Sequence, residues 1–250
     1  AASDVYKRQV AAHMDEVGMV VRGHREDGTL AYDAAGIDPR VMPGKRGWVG
    51  VGPTALPGVI GCKAIHLQTE EEFKKRIPHD ALYLDIGAGS REEAMAKAPV
   101  GTPVWFQSEP MLLGDLVCSK ALDDRLGCAV VLEALRQPCV HDLYGVFSVQ
   151  EEVGTRGAGP AAYGIRPDLA IALDVTPAGD WPDAPPSPIA LGKGPALKLM
   201  DGSVVVSQAV RERMAQAAQA AGIPFQREVL KAGGTDTGPI ARTHTGIAAG

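Results

Sequence analysis

The spacing of apolar positions changes character twice along the chain. At 10–12 the run VAA is short and apolar, and it leads directly into His13-Met14-Asp15-Glu16; it reads as the end of a buried strand. From about 20 to 112 Gly and Pro become frequent. Short β-type runs alternate there with turns: GWVGV at 47–51, PGVIG at 57–61 and ALYLDI at 81–86. Strands this short, at this spacing, predict a small β barrel or sandwich. One short helix interrupts it, opened by the capping box Ser90-Arg91-Glu92-Glu93, with Ser90 as N-cap and Glu93 reaching back; it runs to about Lys97 and Pro99 stops it.

After Leu116 the pattern is α/β. A helix spans 126–135 and ends before Pro138. LYGVFSV at 143–149 is a buried strand, 157–163 a short helix, and LAIAL at 169–173 another buried strand. Ser207 caps an Ala-rich helix to about Ala221, closed by Gly222 and Pro224, and 225–230 is a strand. Near-continuous apolar strands alternating with helices predict an α/β fold with a mostly parallel sheet flanked by helices. The simplest architecture joins 10–12 to the later strands in one sheet. Residues 1–19 and 113–250 then form one domain and 20–112 an inserted, β-barrel-like domain. The alternative is two consecutive domains.

Both ends carry an expectation of their own. Residues 1–9 fit no periodic pattern and resemble a translated adapter scar, so they are left out of the fold expectation. The apolar run GIAA before Gly250 reads as a strand cut short. Composition adds little: 45% apolar and 22% charged residues describe an ordinary globular chain, and a net charge of −5 without a basic run points away from nucleic acid. No apolar run is long enough to span a membrane. Cys62, Cys118, Cys128 and Cys139 form no CxxC pair and read as reduced thiols of a cytoplasmic protein.

Ligands of open α/β sheets bind beyond the carboxyl ends of the strands, so the residues following each strand carry the chemistry. His13 and Asp15 follow the first strand, Glu151 and Glu152 the strand at 143–149, and Asp174 the strand at 169–173; Asp123 and Asp124 precede the first long helix. Each feature has a bland reading: a satisfied histidine, helix-dipole charges, a solvated turn. Their coincidence at one sheet edge favours one site over four separate accidents. Mixed imidazole and carboxylate donors suit hard or borderline divalent ions. Asp15, two residues from His13, lies on the same face of an extended chain and is placed to hold the imidazole tautomer. Of the diverging pair Glu151 and Glu152, one can bind metal while the other stays free as a base. Asp123, on a tight turn, is suited to bridging two ions.

The segments AAHMDEVG, SKALDDRLGCAV, VQEEVGTRGA, LDVTPAGDWP, KGPALKLMDGS and GGTDTGPI occur in this order. With them the sequence closely resembles the glutamyl, deblocking and tetrahedral aminopeptidase family of dinuclear metallopeptidases, some members of which carry an endoglucanase label. The resemblance covers 10–250. It implies a zinc-peptidase-like α/β fold and a metal-dependent aminopeptidase acting on the N-termini of peptides, with two divalent ions, zinc or cobalt. His13, Asp123 and Asp174 would bind one ion. Asp123 would bridge to a second that Glu152 also binds. Glu151 would be the general base and Asp15 would orient His13. Residues 20–112 would be a dimerisation domain used to build larger homo-oligomers, and Gly233, Gly234, Thr235 and Asp236 would lie beside the substrate pocket. Family members have a further histidine ligand in a segment that would follow Gly250. His244 is not that residue and reads as structural or exposed, so the chain as it stands is expected to lack a ligand of its second ion and to be impaired in activity.

Two other functions compete. A related two-metal amidohydrolase would prefer N-acylated substrates over free amines. A non-catalytic assembly protein would have no need of His13, Asp123, Glu151, Glu152 and Asp174 together. Glycosidase chemistry would leave His13 and Asp123 without roles, and no Ser or Cys sits in a nucleophile elbow.

Overall fold

The computed structural model describes residues 6–250. The chain divides into two compact units, one of residues 1–16 and 121–250, the other of residues 17–120.

The smaller unit is a closed antiparallel barrel. Its strands are β2 (Met19–His24), β3 (Leu30–Ala34), β4 (Arg46–Val49), β5 (Leu56–Gly61), β6 (Tyr83–Asp85) and β7 (Pro103–Phe106), in the order β2-β3-β6-β5-β4-β7. Alternation sends one face of each strand inward, and Val21, Leu30, Tyr32, Val49, Ile60, Leu84 and Val104 fill the interior. Gly28 takes φ +85° in the β2–β3 turn, where a Cβ would lie 2.2 Å from the Ala88 carbonyl oxygen. A hairpin, β8 (Met111–Leu113) with β9 (Leu116–Cys118), follows.

Where the sequence pattern gives this region one short helix, the structure has two. α1 (Glu70–Lys74) opens with a full capping box between Thr69 and Glu72. α2 (Arg91–Lys97) starts at Ser90, whose Oγ accepts the Glu93 N–H. The Glu93 carboxylate reaches one residue further back than a capping box requires and accepts the Gly89 N–H at 2.8 Å.

The larger unit holds a four-stranded parallel sheet in the order β10-β1-β11-β14: β10 (Asp142–Ser148), β1 (Lys7–His13), β11 (Leu169–Ala172) and β14 (Ala248–Ala249). Helices cover both faces. α3 (Leu122–Arg136) lies on one, with Val131 and Leu135 filling the space above Gly145. On the other, Ala11, Val146 and Ala170 pack against Ala158 and Ala162 of α4 (Ala158–Ile165) and Ile240 of α6 (Thr237–Ala241). A second parallel pair, β12 (Ala196–Met200) with β13 (Gln226–Val229), is flanked by α5 (Gln208–Ala220), capped by Ser207. The sequence pattern does not single out β12 or α6. Five residues and half-buried alternation give β12 only a weak periodic signal, and α6 is little more than one turn.

Residues 7–9, set aside in the sequence reading, are part of β1 and pair along their length with β10. Their polar character has a consequence. Gln9 is 1% exposed, on the face shared with Ala11, and neither its Oε1 nor its Nε2 has a hydrogen-bond partner. A buried amide without partners costs about 1–3 kcal/mol. Gln9→Met keeps the shape and removes the polar atoms, so its midpoint in thermal unfolding is expected above that of the parent chain, by about 2–4 °C per kcal/mol recovered. A lower midpoint would show that the amide is satisfied.

Candidate metal centre

Parallel strands end together, and β1, β10 and β11 bring their carboxyl termini to one edge. His13 closes β1 opposite Ser148, the last residue of β10. It is 2% exposed, with Nε2 3.1 Å from Asp123 Oδ1 and 3.9 Å from Asp174 Oδ1. One ligand atom from each of His13, Asp123 and Asp174 lies within 4.8 Å of the others. Glu151 and Glu152 line the same cleft but stand outside that group.

Local chemistry explains how each side chain is aimed. Asp123 and Asp124 have non-helical backbone angles at the start of α3, and the peptide between them is cis. Asp124 turns inward, 1% exposed, and its Oδ1 accepts the Gly127 N–H. A Cβ at position 127 would fall 2.4 Å from that carboxylate, so the glycine makes room for it. Asp123 points the other way, toward His13. After β10 the chain folds into a tight loop, with the amides of Gly154 and Thr155 on the Glu151 carbonyl and Gly157 pressed against the Val149 carbonyl.

Asp15 lies beyond the end of β1, and its two ends do different work. Its carbonyl meets His13 Nδ1 at 3.1 Å, which directs Nε2 toward Asp123. Its carboxylate is 3.6 Å from that nitrogen and accepts the backbone N–H groups of Glu151 at 3.2 Å and Glu152 at 3.3 Å. The imidazole is therefore oriented by main chain, and the side chain ties the His13 segment to the glutamate pair.

Crowding dominates the electrostatics. Burial alone would lower the His13 pKa; the hydrogen bond to Asp123 and the charges of Asp174 and Glu151 overturn it and raise the group to about 10. Asp174 is pushed up to about 7 by burial and by Asp123 and Asp124. Glu151 also rises to about 7, through burial and then Asp174. Asp124 rises to about 6, again chiefly through burial. Like charges crowded in this way favour the binding of protons or of a cation. The donor set of the cluster, one imidazole nitrogen and several carboxylate oxygens, fits a divalent cation.

The cleft measures about 180 Å³, and Lys198, Asp201, Leu230, Gly233, Gly234 and Thr235 complete its lining. Lys198 Nζ is 2.9 Å from the buried Glu228, its register partner across β12 and β13, and Glu228 also receives the Thr176 hydroxyl. The sequence reading misses this pair, whose signal is an opposite-charge couple inside two half-buried strands. It also gives no role to Ser148 or to the carboxyl group of Asp236, which make a short contact at the sheet edge. His244 lies elsewhere, exposed and stacked on Tyr163, with Nε2 at the Tyr163 carbonyl.

Known proteins are similar to this chain in sequence and fold. The family model for the M42 glutamyl aminopeptidases matches residues 1–250. A putative aminopeptidase of Acetivibrio thermocellus is 42% identical over 246 residues, 98% of this chain and 72% of that protein. Among solved structures, a TET aminopeptidase from a marine sediment Thaumarchaeota archaeon superposes with a TM-score of 0.93 at 33% identity, covering 100% of this chain and 73% of the other. The TET1 peptidase of Pyrococcus horikoshii, which can assemble into a tetrahedron or a large octahedral shell, gives a TM-score of 0.82 at 33% identity, covering 99% and 75%. With a match along its full length and a fold shared with peptidases, this chain belongs to the M42 glutamyl aminopeptidase family of peptide hydrolases.

Proposed function

We propose that the cleft hydrolyses the N-terminal peptide bond of peptides with two divalent ions, zinc or cobalt, and Glu151 as general base. The observation that carries this reading is the convergence of His13, Asp123 and Asp174 within 4.8 Å, with Glu151 and Glu152 lining the same cleft. His13, Asp123 and Asp174 would hold one ion; Asp123 and Glu152 would hold the second. Ions held there would supply Lewis acidity toward the scissile carbonyl and the attacking water.

The rest of the work falls to side chains. Glu151 is half-buried and stands near neutrality at about 7, suited to take a proton on its carboxylate and return it to the leaving amine. Asp15 keeps Glu151 in place through its backbone amide.

Three outcomes test this. Glu151→Gln is expected to lower kcat by about 10²–10⁴-fold while the cations still bind; a parallel fall in bound metal would make Glu151 a ligand instead. His13, raised to about 10, carries a proton at pH 7 in the cation-free chain, whereas a ligating imidazole is neutral. Cation binding should therefore release more than one proton, the first from His13 and a further fraction from Asp174, itself raised to about 7, and should tighten as pH rises. Calorimetry in buffers of differing ionisation enthalpy reads this directly, and an enthalpy independent of buffer would remove His13 from the ligand set. The third concerns assembly. The barrel unit has its own closed sheet and core, and it leaves Ile65, Leu67, Phe73 and Leu112 more than 60% exposed. We assign the self-association surface to it. Expressed alone, residues 17–120 should sediment as a dimer or larger, and a monomer would move the surface elsewhere.

A further inference from the structure

Asp236 is a deeply buried acid at this sheet edge without a task in the reaction above. It is 3% exposed and follows the glycines and threonine that line the cleft. One carboxylate oxygen, Oδ2, makes a short hydrogen bond with Ser148 Oγ; the other, Oδ1, is buried without a partner. Ser148 is itself 4% exposed, sits opposite His13 in the sheet, and receives the Met14 N–H on its carbonyl.

Proton counting limits the arrangement. The Ser148 hydroxyl has one proton, yet two oxygens face it: Asp236 Oδ2 and the Ala12 carbonyl at 3.3 Å. A carbonyl can only accept. If Asp236 were ionised it too could only accept, and one of the two contacts would be oxygen against oxygen with no proton between them. The unpartnered Oδ1 would then be a buried charge lacking any donor. A neutral carboxyl resolves both problems, because Asp236 donates to Ser148 Oγ and Ser148 donates to Ala12. Neutrality also adds no further negative charge to an edge that already holds Asp15, Asp123, Glu151, Glu152 and Asp174.

We propose that Asp236 is a positioning residue, kept as a neutral carboxyl, whose two-bond chain through Ser148 to Ala12 fixes the Gly233–Gly234–Thr235 wall of the cleft to the strand that presents His13. Burial pushes the carboxyl up from its ordinary value, with the Ser148 contact and His13 acting in the opposite sense. Beside that anchor, the Gly202 N–H meets the Gly233 carbonyl at 2.9 Å and Thr235 Oγ1 lies 3.4 Å from Asp201. Neither contact ties the wall to β1 or β10, so losing the anchor should shift the wall relative to His13 and weaken substrate positioning more than it changes the chemical step.

The inference rests on the cleft being the peptide site, and its tests separate the two claims. Asp236→Asn cannot ionise but keeps a donor for Ser148; Asp236→Ala and Ser148→Ala remove the bond. With cations supplied, D236N should keep KM and kcat within about twofold of the parent, whereas D236A and S148A should raise KM about tenfold and change kcat less. An infrared difference spectrum of parent minus D236N at neutral pH, recorded without and with cations, should show the C=O stretch of a protonated carboxyl. A D236N variant as impaired as D236A, or no such band in either state, would overturn neutrality. D236A and S148A proteins with unchanged KM would overturn the positioning role. A parent chain that binds no divalent cation at His13, Asp123 and Asp174 would instead overturn the site assignment, and the infrared band together with the melting temperatures of the same variants would still decide Asp236.

Discussion

The parallel pairing of β1 between β10 and β11 is the constraint on which the site depends. Its register sets His13 opposite Ser148 and Ala11 opposite Ala172, so that the ends of three strands arrive together. Each strand then needs only two or three more residues to deliver Asp15, Glu151 and Asp174. An antiparallel neighbour would carry its acids to the opposite edge. The small residues Ala11, Ala158, Ala162 and Ala170 allow the helices close to the sheet, and the edge becomes a walled cleft.

The cost of that convergence is charge. Several carboxylates share a partly buried space with His13, and Lys198, which also lines the cleft, is paired with Glu228. Crowding is visible in the raised values of Asp174 and Glu151 and in a histidine held protonated far above its ordinary range. The local backbone is built to keep the groups apart and aimed. Gly127 takes in the Asp124 carboxylate, and Gly157 lets the loop after β10 close on Val149. Asp15 spends its carboxylate on two main-chain amides. A divalent cation held by His13, Asp123 and Asp174 would supply a charge that these donors can share.

The barrel presents a different problem in the same chain. Closure removes sheet edges, so the unit can be made from short strands without exposing unpaired backbone. Its core draws on larger side chains, Tyr32, Met42, Leu30 and Leu84 among them, while the α/β unit relies on alanines where helices meet sheet. Each unit satisfies its own core requirement, which is consistent with one serving chemistry and the other assembly.

Much of this was written in the chain. Near-continuous apolar runs require strands buried on both faces, and in a parallel sheet that places the following residues at one edge; His13, Glu151, Glu152 and Asp174 could be named on that ground, and Asp123 from its place at the start of the first long helix. The caps at Ser90 and Ser207 were legible because their bonds are local. Tertiary structure decided what depends on contacts between distant segments. It determined that residues 7–9 continue a strand, since their pairing partner lies more than a hundred residues away. It determined that the Asp15 carbonyl, not its carboxylate, meets His13, because the amides of Glu151 and Glu152 claim the carboxylate once β10 packs beside β1. It also joined Ser148 to Asp236 across 88 residues. Periodicity reports which face of an element is buried; which buried polar atoms meet is settled only when the elements pack.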